Sequence, residues 1–330
     1  MNIRIGSRSS SLALKQVEIS MEEIGIEDYV IEKIVTKGDK ESAKGRTQFD
    51  KLNFVQDIEE KISSGDIDIA VHSAKDLPAT ESKEFDYFYL RESTEDISTW
   101  SSDRVIFRDK NKKKFSSEMI LGTSSLRRKM QAKFLLGAEK IFSLNGNIDT
   151  RIRKLNSGEY DCIILANAGC TRLGFNLNSY NLDFLTPSAQ GLICLQCLKG
   201  TDISKMLNNF FDKDKYKIHK LGMDIYKSFL RNINADCNSA ISVRSLGNGR
   251  IANGEHKLTF QVFGKNEFFS AEKTHSDPQK LIELAKKYFA EYKEMPNSLS
   301  LEYLGGDFSA AKSKEFIEDF KNVLSIYGMT

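Results

Sequence analysis

Residues 67–76 read Ile-Asp-Ile-Ala-Val-His-Ser-Ala-Lys-Asp, a short apolar run followed directly by polar and charged side chains. The part from Ile67 to Val71 predicts a buried strand, because it is short, apolar and rich in β-branched residues. Such strands are typical of parallel α/β sheets, in which ligands bind beyond the carboxyl ends of the strands. The stretch therefore predicts an α/β sheet with a binding site where the strand ends.

Apolar runs alternate with amphipathic helices along most of the first two thirds of the chain. Near the N terminus, the predicted strand Ile3–Ile5 precedes a helix with Leu14, Val17, Met21 and Ile24 on one face. Such alternation predicts mainly parallel sheets covered by helices. Further strands are predicted at Tyr29–Val35, Arg104–Phe107, Met119–Leu121, Lys140–Leu144 and Cys162–Ala166. Further helices are predicted around Phe54, Ile58 and Ile62, from Ser124 and from Ile148.

The last third of the chain has a different character. Residues 201–232 read as Lys-rich helices, and Asn253-Gly254 within Arg250–Phe263 is a strong hairpin signal. Amphipathic helices are predicted at Leu281–Tyr292 and Phe316–Ile326. We therefore predict an α/β domain of residues 1–95 plus 191–213, a second α/β domain of residues 96–190, and a small α+β domain of residues 214–330.

Composition and charge exclude several classes of protein. Lys+Arg is 48 and Asp+Glu is 46, so the net charge of +2 argues against a general nucleic-acid binder. The N terminus lacks the pattern of a signal peptide, and no apolar run approaches the roughly 20 residues of a membrane span. We expect a cytoplasmic protein with reduced cysteines and without a membrane or nucleic-acid partner. The four histidines show no ligand spacing, so no metal site is predicted.

Five predicted strand-to-helix junctions place a cation just past a strand, usually with small hydroxyl or amide residues. Helix N termini already favour anions, because they present unpaired N–H groups and positive potential. Arg127 and Arg128, in the first turn of one helix, would each cost about 0.3–1 kcal/mol unless an anion is held there. One such junction is compatible with a solvated surface or salt bridges, but five together predict a large polyanionic ligand. The junctions are residues 6–10, 72–76, 122–128, 145–151 and 167–172.

Two further residues are candidates for chemistry. Asp76 is a carboxylate among cations, which suits it to stabilising a developing positive charge or relaying a proton. The alternatives are a helix N-cap or a partner for Lys75. Cys237 lies in a polar loop and is a candidate reactive thiol, whereas the cysteines in apolar runs are expected to be buried. His72 is expected to end a buried strand.

Several segments, in order along the chain, resemble the hydroxymethylbilane synthase family, also called porphobilinogen deaminases. The most specific segments are HSAKDLP (72–78) and GTSSLRR (122–128). The others are IGSRSSSLALKQ (5–16), VTKGD (35–39), NGNIDTRIRKLNSGEYDCIILANAG (145–169), TRLG (171–174), AQGLICLQC (189–197) and ADCNSAIS (235–242). The C-terminal part adds little to the match.

The resemblance implies three domains in a monomer, the first two with a type 2 periplasmic-binding-protein-like fold. It implies a transferase of heme biosynthesis that joins four porphobilinogen molecules, with loss of ammonia, into linear hydroxymethylbilane. It also implies a dipyrromethane cofactor bound through a thioether to Cys237. Asp76, with Lys75 beside it, matches the catalytic position, where a carboxylate is expected to stabilise the pyrrole N–H and the cationic azafulvene formed as ammonia leaves.

The same matches imply a cleft lined by cations and hydroxyl groups, because each pyrrole carries an acetate and a propionate. The cofactor-binding residues are expected to be Cys237, Arg8, Lys75, Ser124, Ser125, Arg127 and Arg128. The substrate-binding residues are expected to be Arg8, Ser10, Lys51, Phe54, Thr123, Arg127, Arg128, Asn145, Arg151, Arg172 and Gln190.

Some positions depart from the family pattern. Asn145 stands where the family has Arg, so one carboxylate clamp is missing or is supplied elsewhere, for example by Arg153. Residues 46–53 replace a Gly- and Lys-rich stretch and overlap the polar segment 37–51, which is interpreted as a long loop. Asp236, in place of a glycine before the cofactor cysteine, is expected to raise the pKa of that thiol.

Two alternative functions stay open from the residues alone. One is a non-catalytic anion- or pyrrole-binding protein on the same scaffold. Retention of Asp76 and Cys237 argues against it, because binding alone requires neither residue. The other is a periplasmic type of solute-binding protein, which the absence of a signal-peptide pattern and the presence of the Cys237 loop disfavour.

Overall fold

The computed structural model describes residues 2–36, 52–93, 95–235, 239–246, 254–264 and 268–293. Three β-sheets organise this part of the chain. The strands are β1 (Ile3–Arg8), β2 (Tyr29–Ile34), β3 (Ile69–Ser73), β4 (Phe85–Leu90), β5 (Asp103–Phe107), β6 (Ile120–Gly122), β7 (Lys140–Phe142), β8 (Cys162–Ala166), β9 (Ser179–Leu182), β10 (Ile193–Leu198), β11 (Ile241–Leu246), β12 (His256–Phe263) and β13 (Phe268–His275). The helices are α1 (Ser11–Ile24), α2 (Leu52–Ser63), α3 (Ile97–Trp100), α4 (Leu126–Leu136), α5 (Ile148–Asn156), α6 (Asn167–Arg172), α7 (Asp202–Phe211), α8 (Asp214–Asn232) and α9 (Pro278–Lys293).

The first two sheets have the same construction. Their strand orders are β2-β1-β3-β10-β4 and β7-β6-β8-β5-β9. In each sheet the first three strands are parallel to one another, and the two further pairings are antiparallel. The sheets are therefore mixed, and in each of them four of the five strands run in the same direction, with β10 and β5 as the reversed strands. The chain leaves the first sheet after β4 and returns to it through β10, which enters between β3 and β4 in the opposite direction.

Helix α1 shows how the local sequence determines an element. Ser10 caps its N terminus by accepting a hydrogen bond from the backbone N–H of Ala13 at 3.3 Å. Gly25 ends it with a φ of 73°, a left-handed conformation that glycine adopts without a Cβ clash. Val17 and Met21, about one turn apart, are buried in the core of the first sheet. The helix predicted from this spacing is confirmed.

The strands predicted from the apolar runs are confirmed, with small shifts of their ends. β8 coincides with the predicted Cys162–Ala166. β3 runs from Ile69 to Ser73, whereas the prediction ended at Val71. The strand continues because β10 pairs with its last residues, including His72. His72 and Ser73, in the polar half of residues 67–76, are therefore paired within the sheet.

The third sheet is antiparallel, with the order β11-β12-β13, and α8 and α9 pack on it. Its core contains Phe229, Phe260 and Leu281, which are fully buried. The helical prediction for residues 201–232 is confirmed as α7 and α8. Strand β12 confirms the second half of the predicted hairpin, but Asn253 and the first half lie outside the described residues.

Two other predictions fall on residues outside the described part of the chain, namely the loop at residues 37–51 and the helix at Phe316–Ile326. The helix predicted at Leu281–Tyr292 is confirmed within α9. Within the described ranges, no helix has the length and apolar character needed to cross a membrane.

Gly122, the last residue of β6, tests how closely the second sheet is packed. A Cβ at Gly122 would lie 2.7 Å from the ring of Tyr160, whose hydroxyl donates to the carbonyl oxygen of Ser143 at 2.7 Å. We expect Gly122→Ala to lower the free energy of unfolding by about 1–3 kcal/mol, because neither the ring nor the strand can move freely. Urea denaturation measures this change.

Gly222→Ala is the matched control for that substitution. A Cβ at Gly222, inside α8, meets only the carbonyl oxygen of Ser245, at 3.9 Å. Alanine also favours the helix over glycine by up to about 1 kcal/mol, so stability should be unchanged or higher. Equal stabilities of the two variants would contradict the packing argument.

Candidate functional site

The five predicted junctions form two groups at the edges of the first two sheets. Residues 122–128, 145–151 and 167–172 follow β6, β7 and β8, which are parallel neighbours. Residues 6–10 and 72–76 follow β1 and β3, which are parallel neighbours in the first sheet. Because the carboxyl ends of parallel neighbours share one edge, the structure confirms that the junctions are grouped by the sheets.

The two groups lie opposite each other. Helix α1 contacts α6, and a Cβ at Gly169 would lie 3.6 Å from Cδ2 of Leu12. Lys75 of the first sheet is close enough to Arg128 and Arg151 of the second for their charges to affect its pKa. We call this space between the two sheet edges the cation cleft; it is defined by Arg8, Lys75, Asp76, Arg128 and Arg151.

Burial disfavours the charged forms of two cations in the cleft, Lys75 and Arg151. Burial, with smaller contributions from Arg128 and Arg151, lowers the pKa of Lys75 to about 8, although Asp76 and Asp103 act in the opposite direction. Burial and the charge of Arg128 likewise lower the pKa of Arg151 to about 10. An anion placed between such groups stabilises their charges. The cleft therefore suits a ligand with several carboxylates.

Asp76 is the last residue of a 3-10 turn, Ala74–Asp76, that follows β3. Its Oδ2 is 3.9 Å from Nη1 of Arg8, and its side chain is 41% exposed. Ser73 occupies the N-cap position of the turn, so the interpretation of Asp76 as an N-cap is wrong. A partly exposed carboxylate beside Arg8 and Lys75 can accept a hydrogen bond from an N–H group of a ligand. It can also stabilise a positive charge on the ligand.

His72, four residues before Asp76, belongs to the buried sheet. Its Nε2 lies 2.8 Å from Oε1 of Gln196, and burial lowers the pKa of the imidazole to about 4. The ring is therefore neutral at pH 7. This confirms the expectation that His72 ends a buried strand.

Arg127 and Arg128 are buried and share one carboxylate. Oδ2 of Asp103 is 2.7 Å from Nη1 of Arg127, while Oδ1 is 3.0 Å from Nε and 2.7 Å from Nη2 of Arg128. Burial alone would raise the pKa of Asp103, but the two guanidinium charges outweigh it and hold that pKa below its usual range. The anion that the arginine pair requires is therefore present within the chain.

Two glutamines connect this ion group to the rest of the fold. Nε2 of Gln190 donates to Oδ1 of Asp103 at 2.9 Å and to two backbone carbonyl oxygens at 2.7 and 3.2 Å. Oε1 of Gln131 accepts from Nη1 of Arg127 at 2.7 Å, and its Nε2 donates to Oε1 of Gln261 in the third sheet at 2.9 Å. The Asp103 group, as we call Asp103, Arg127, Arg128, Gln131 and Gln190, thus joins the second sheet to the third sheet and to the segment that leads back to the first.

The hydroxyl residues predicted for the cleft organise the junctions. Ser125 accepts a hydrogen bond from the N–H of Arg128 at 3.5 Å and caps α4. Thr123 accepts one from the N–H of Ser125 at 3.3 Å. Oγ of Ser124 donates to Oδ1 of Asn145 at 2.6 Å. Asn145 therefore ties two junctions together at the position where the family pattern has a cation.

Arg151 and Arg153 have different surroundings although both lie in α5. Nε of Arg151 donates to the carbonyl oxygen of Gly146 at 2.7 Å, which holds the side chain at the start of the helix. Arg153 is exposed and lies about 200° further around the helix axis. The structure therefore does not support Arg153 as the replacement for the cation missing at Asn145.

Arg172 is bound by a carboxylate of the chain itself. Its Nε and Nη2 donate to Oε1 and Oε2 of Glu92 at 2.7 and 2.9 Å, and Nη2 also donates to the carbonyl oxygen of Gly191 at 2.8 Å. The guanidinium carbon lies 5.4 Å from the ring centre of Trp100, and the side chain is 4% exposed. Sequence reasoning missed Glu92 and Asp103, because neither lies at a strand-to-helix junction.

Three predicted site positions lie outside the described residues or side chains, namely Lys51, the side chain of Phe54, and Cys237. The cysteines of the described part are buried, and burial raises the pKa of each thiol. This confirms the expectation that the cysteines in apolar runs are buried; they are Cys162, Cys170, Cys194 and Cys197.

Comparison with known proteins adds a family assignment to this geometry. Residues 3–205 match the family described as "Porphobilinogen deaminase, dipyromethane cofactor binding domain". The "Probable porphobilinogen deaminase" of Methanocaldococcus jannaschii is 36% identical over 212 residues, which are 62% of this chain and 70% of the relative. The "Porphobilinogen deaminase" of Caldicellulosiruptor saccharolyticus is 34% identical over 254 residues, covering 73% of this chain and 83% of the relative.

The comparison of structures aligns part of the chain with other proteins. For an "Ancestral Cationic Amino Acid Solute Binding Protein", the TM-score is 0.40 and the identity 12%, over 63% of this chain and 87% of the other. For full-length BenM, the TM-score is 0.38 and the identity 13%, over 64% of this chain and 65% of the other.

Asp103→Asn removes the counter-charge of two buried guanidinium groups. We expect the free energy of unfolding at pH 7 to fall by about 3–5 kcal/mol, because unpaired buried charges are costly. Since the folded pKa of Asp103 is depressed, this contribution is fully present above the unfolded pKa of about 3.9 and decreases at lower pH. Urea denaturation at pH 7 and at about pH 2.5 measures it.

Asp212→Asn is the control for the loss of a carboxylate. Asp212 forms an exposed pair with Lys217 at 2.8 Å, so its change should cost about 0–1 kcal/mol. If the two substitutions destabilise the protein equally, the special role of the Asp103 group is refuted.

Lys75→Met tests how much the charge of Lys75 destabilises the folded protein. The folded pKa of about 8 lies below the ordinary value, so the folded state binds fewer protons than the unfolded state between about pH 8 and 10. The contribution of Lys75 to stability therefore rises with pH in that window. We expect Lys75→Met to be more stable than the wild type at pH 7 and to lose that advantage by about pH 10.

Urea denaturation at both pH values measures this difference. Lys220→Met serves as the control, because Lys220 is exposed and pairs with Asp224 at 2.7 Å. A stability difference between wild type and Lys75→Met that does not change with pH would contradict the lowered pKa of Lys75.

Proposed function

This chain belongs to the porphobilinogen deaminase family, and we propose that its chemistry takes place in the cation cleft. It is a transferase of tetrapyrrole biosynthesis that joins four porphobilinogen molecules head to tail into linear hydroxymethylbilane, with release of ammonia. The observation that supports the cleft as the site is the convergence of Lys75, Arg128 and Arg151 from two sheets beside Asp76.

The charge of the substrate accounts for the number of cations. Each porphobilinogen brings an acetate and a propionate, so the product gains negative charge with every unit joined. Carboxylates that enter the cleft stabilise the charged forms of Lys75 and Arg151, which burial disfavours. The residues proposed to bind substrate are Arg8, Ser10, Lys51, Phe54, Thr123, Arg127, Arg128, Asn145, Arg151, Arg172 and Gln190.

These residues divide into two kinds according to their partners. Arg8, Lys75 and Arg151 are proposed to meet substrate carboxylates directly. Arg127 and Gln190 bind Asp103, so their part is to hold the cleft in shape. Arg172 is proposed to bind substrate only when its hydrogen bonds to Glu92 are broken.

Asp76 is proposed to stabilise the positive charge that develops on porphobilinogen as ammonia leaves. Its carboxylate is partly exposed and can accept the pyrrole N–H, while Arg8 at 3.9 Å helps to fix its orientation. Lys75 has a pKa of about 8, so it is charged at pH 7 for binding a carboxylate. The same value suits it to donating a proton near neutral pH.

The family is one with a dipyrromethane cofactor, and the cleft fits such a group. Two pyrroles bring four carboxylates to cations whose charged forms are disfavoured by burial. We propose a thioether to Cys237, since the thiols of the four described cysteines are buried and have raised pKa values. When bound, the cofactor supplies an anchored pyrrole chain. The residues proposed to hold it are Arg8, Lys75, Ser124, Ser125, Arg127 and Arg128.

The finer organisation of the protein is also a proposal. We propose that the three sheets belong to three domains, the first two with a type 2 periplasmic-binding-protein-like fold. Their boundaries would be residues 1–95 plus 191–213, 96–190 and 214–330. We further propose a monomer that acts in the cytoplasm on a small molecule, without a nucleic-acid or membrane partner.

A non-catalytic pyrrole-binding protein is the weaker candidate. The curated relatives at 32–36% identity are named as deaminases. A binding protein also has no use for a carboxylate such as Asp76 among the cations that would hold the anion. Turnover of porphobilinogen distinguishes the two functions.

Intact mass under denaturing conditions, followed by peptide mapping, tests the cofactor. We expect an adduct of two pyrrole units on Cys237 after incubation with porphobilinogen. Cys237→Ser should lose the adduct, and Cys194→Ser, at a buried position, should keep it. A wild-type chain that stays unmodified would refute the attachment and favour the binding protein. An adduct that persists in Cys237→Ser would move the anchor to another cysteine.

Asp76→Asn tests the catalytic carboxylate. We expect turnover to fall by about 10²–10³-fold, because the neutral amide does not stabilise a developing cation. Stability should change little, since the side chain is partly exposed. Asp66→Asn is the control, as Asp66 is exposed and pairs with Lys61 at 3.6 Å. Wild-type turnover in Asp76→Asn would rule out the assigned role.

A further inference from the structure

We infer that Lys227 and Arg231 of α8 are positioning residues that hold Asp76 in a defined place relative to the third sheet. This inference rests on the proposed roles of Asp76 and Cys237. Its basis is that one helix binds the chain segment directly after Asp76 and then leads into the segment that contains Cys237.

The segment Leu77–Glu81, which follows Asp76, is bound at two points by α8. Nζ of Lys227 forms an ion pair with Oε1 of Glu81, and Nη1 of Arg231 donates to the carbonyl oxygen of Ala79 at 2.7 Å. Lys227 and Arg231 are four residues apart, so they project from the same face of the helix. Together they hold both the backbone and a side chain of the segment.

Lys227 is placed precisely by its surroundings, because its side chain is only 3% exposed. Its Nζ lies 5.6 Å from the ring centres of both Tyr87 and Tyr89 in β4. The hydroxyl of Tyr89 donates to the same Glu81 oxygen at 2.5 Å. A buried ammonium is tolerated only where a carboxylate and aromatic faces compensate its lost hydration. The ion pair between Lys227 and Glu81 therefore forms only when α8 packs at this position on the first sheet.

The same segment is packed between two hydrophobic cores. Leu77 is buried in the core of the first sheet together with Met223 of α8. Ala79 packs against the core of the third sheet. A displacement of α8 or of the third sheet would therefore move the segment that begins directly after Asp76.

Helix α8 also leads toward the proposed cofactor anchor. Ile233 and Ala235, just after its end, are buried in the core of the third sheet. Their N–H groups donate to carbonyl oxygens of the last turn, including that of Leu230. Ala235, two residues before Cys237, is thus packed in the same core as the helix that contacts Ala79.

The reaction gives this connection a function. A pyrrole chain anchored at Cys237 must present its end to Asp76 for each joining step. Misplacement of reacting groups by about 1 Å can cost up to about a hundredfold in rate. Lys227 and Arg231 are therefore expected to affect kcat, while the cations that bind porphobilinogen, and with them KM, stay unchanged.

The test compares variants of the full-length holoenzyme. Lys227→Met keeps the length of the side chain but removes its charge, and Arg231→Ala removes an exposed donor. We expect kcat to fall by about tenfold in the first and by a few-fold in the second, with KM within about twofold of wild type. Arg231→Lys keeps a donor and should restore activity. Lys220→Ala, on the same helix, is the control and should match wild type.

Intact mass and urea denaturation complete the test. All variants should carry the Cys237 adduct, and Arg231→Ala should be as stable as Lys220→Ala. If Lys227→Met fails to fold, Arg231→Ala decides the outcome. The inference is overturned if kcat in Arg231→Ala equals that of Lys220→Ala, or if activity falls only in proportion to the folded fraction. A wild-type protein without adduct or turnover would instead overturn the proposed function, and the inference with it.

Discussion

The shape of the cleft depends on a buried ion group in which one aspartate serves two arginines. Guanidinium groups taken out of water are tolerated only where a carboxylate and backbone oxygens satisfy their N–H donors. Asp103 provides the carboxylate at the start of β5, where the chain enters the second sheet. Gln190, on the way back to the first sheet, donates to the same carboxylate. The two chain segments that connect the first and second sheets are thereby both attached to α4.

The same requirement separates the cations with an acidic partner within the chain from those proposed to meet the ligand. Arg127 and Arg172 have acidic partners within the chain, Asp103 and Glu92. Burial, with smaller contributions from like charges of the second sheet, lowers the pKa of Lys75. A site for a polyanion requires both kinds, because paired arginines keep the geometry and crowded cations give the ligand its binding energy.

The segment after Asp76 is linked to α8 through a second ion pair, in which the buried Lys227 binds Glu81. Gln131 connects the Asp103 group to Gln261 of the third sheet. Gln261 thus connects the third sheet to the Asp103 group, and α8, which packs on that sheet, binds the segment that follows Asp76.

The sequence by itself determined the helices, the strands and the family. The spacing of Val17 and Met21 predicts α1, and residues 122–128 predict a strand-to-helix junction, because both depend on contacts within a few residues. Which arginines are paired was decided by the tertiary structure. Asp103 is 24 residues from Arg127, and Glu92 is 80 residues from Arg172. No local periodicity encodes such pairs, since only the packing of distant segments brings their charges within hydrogen-bond distance and out of water.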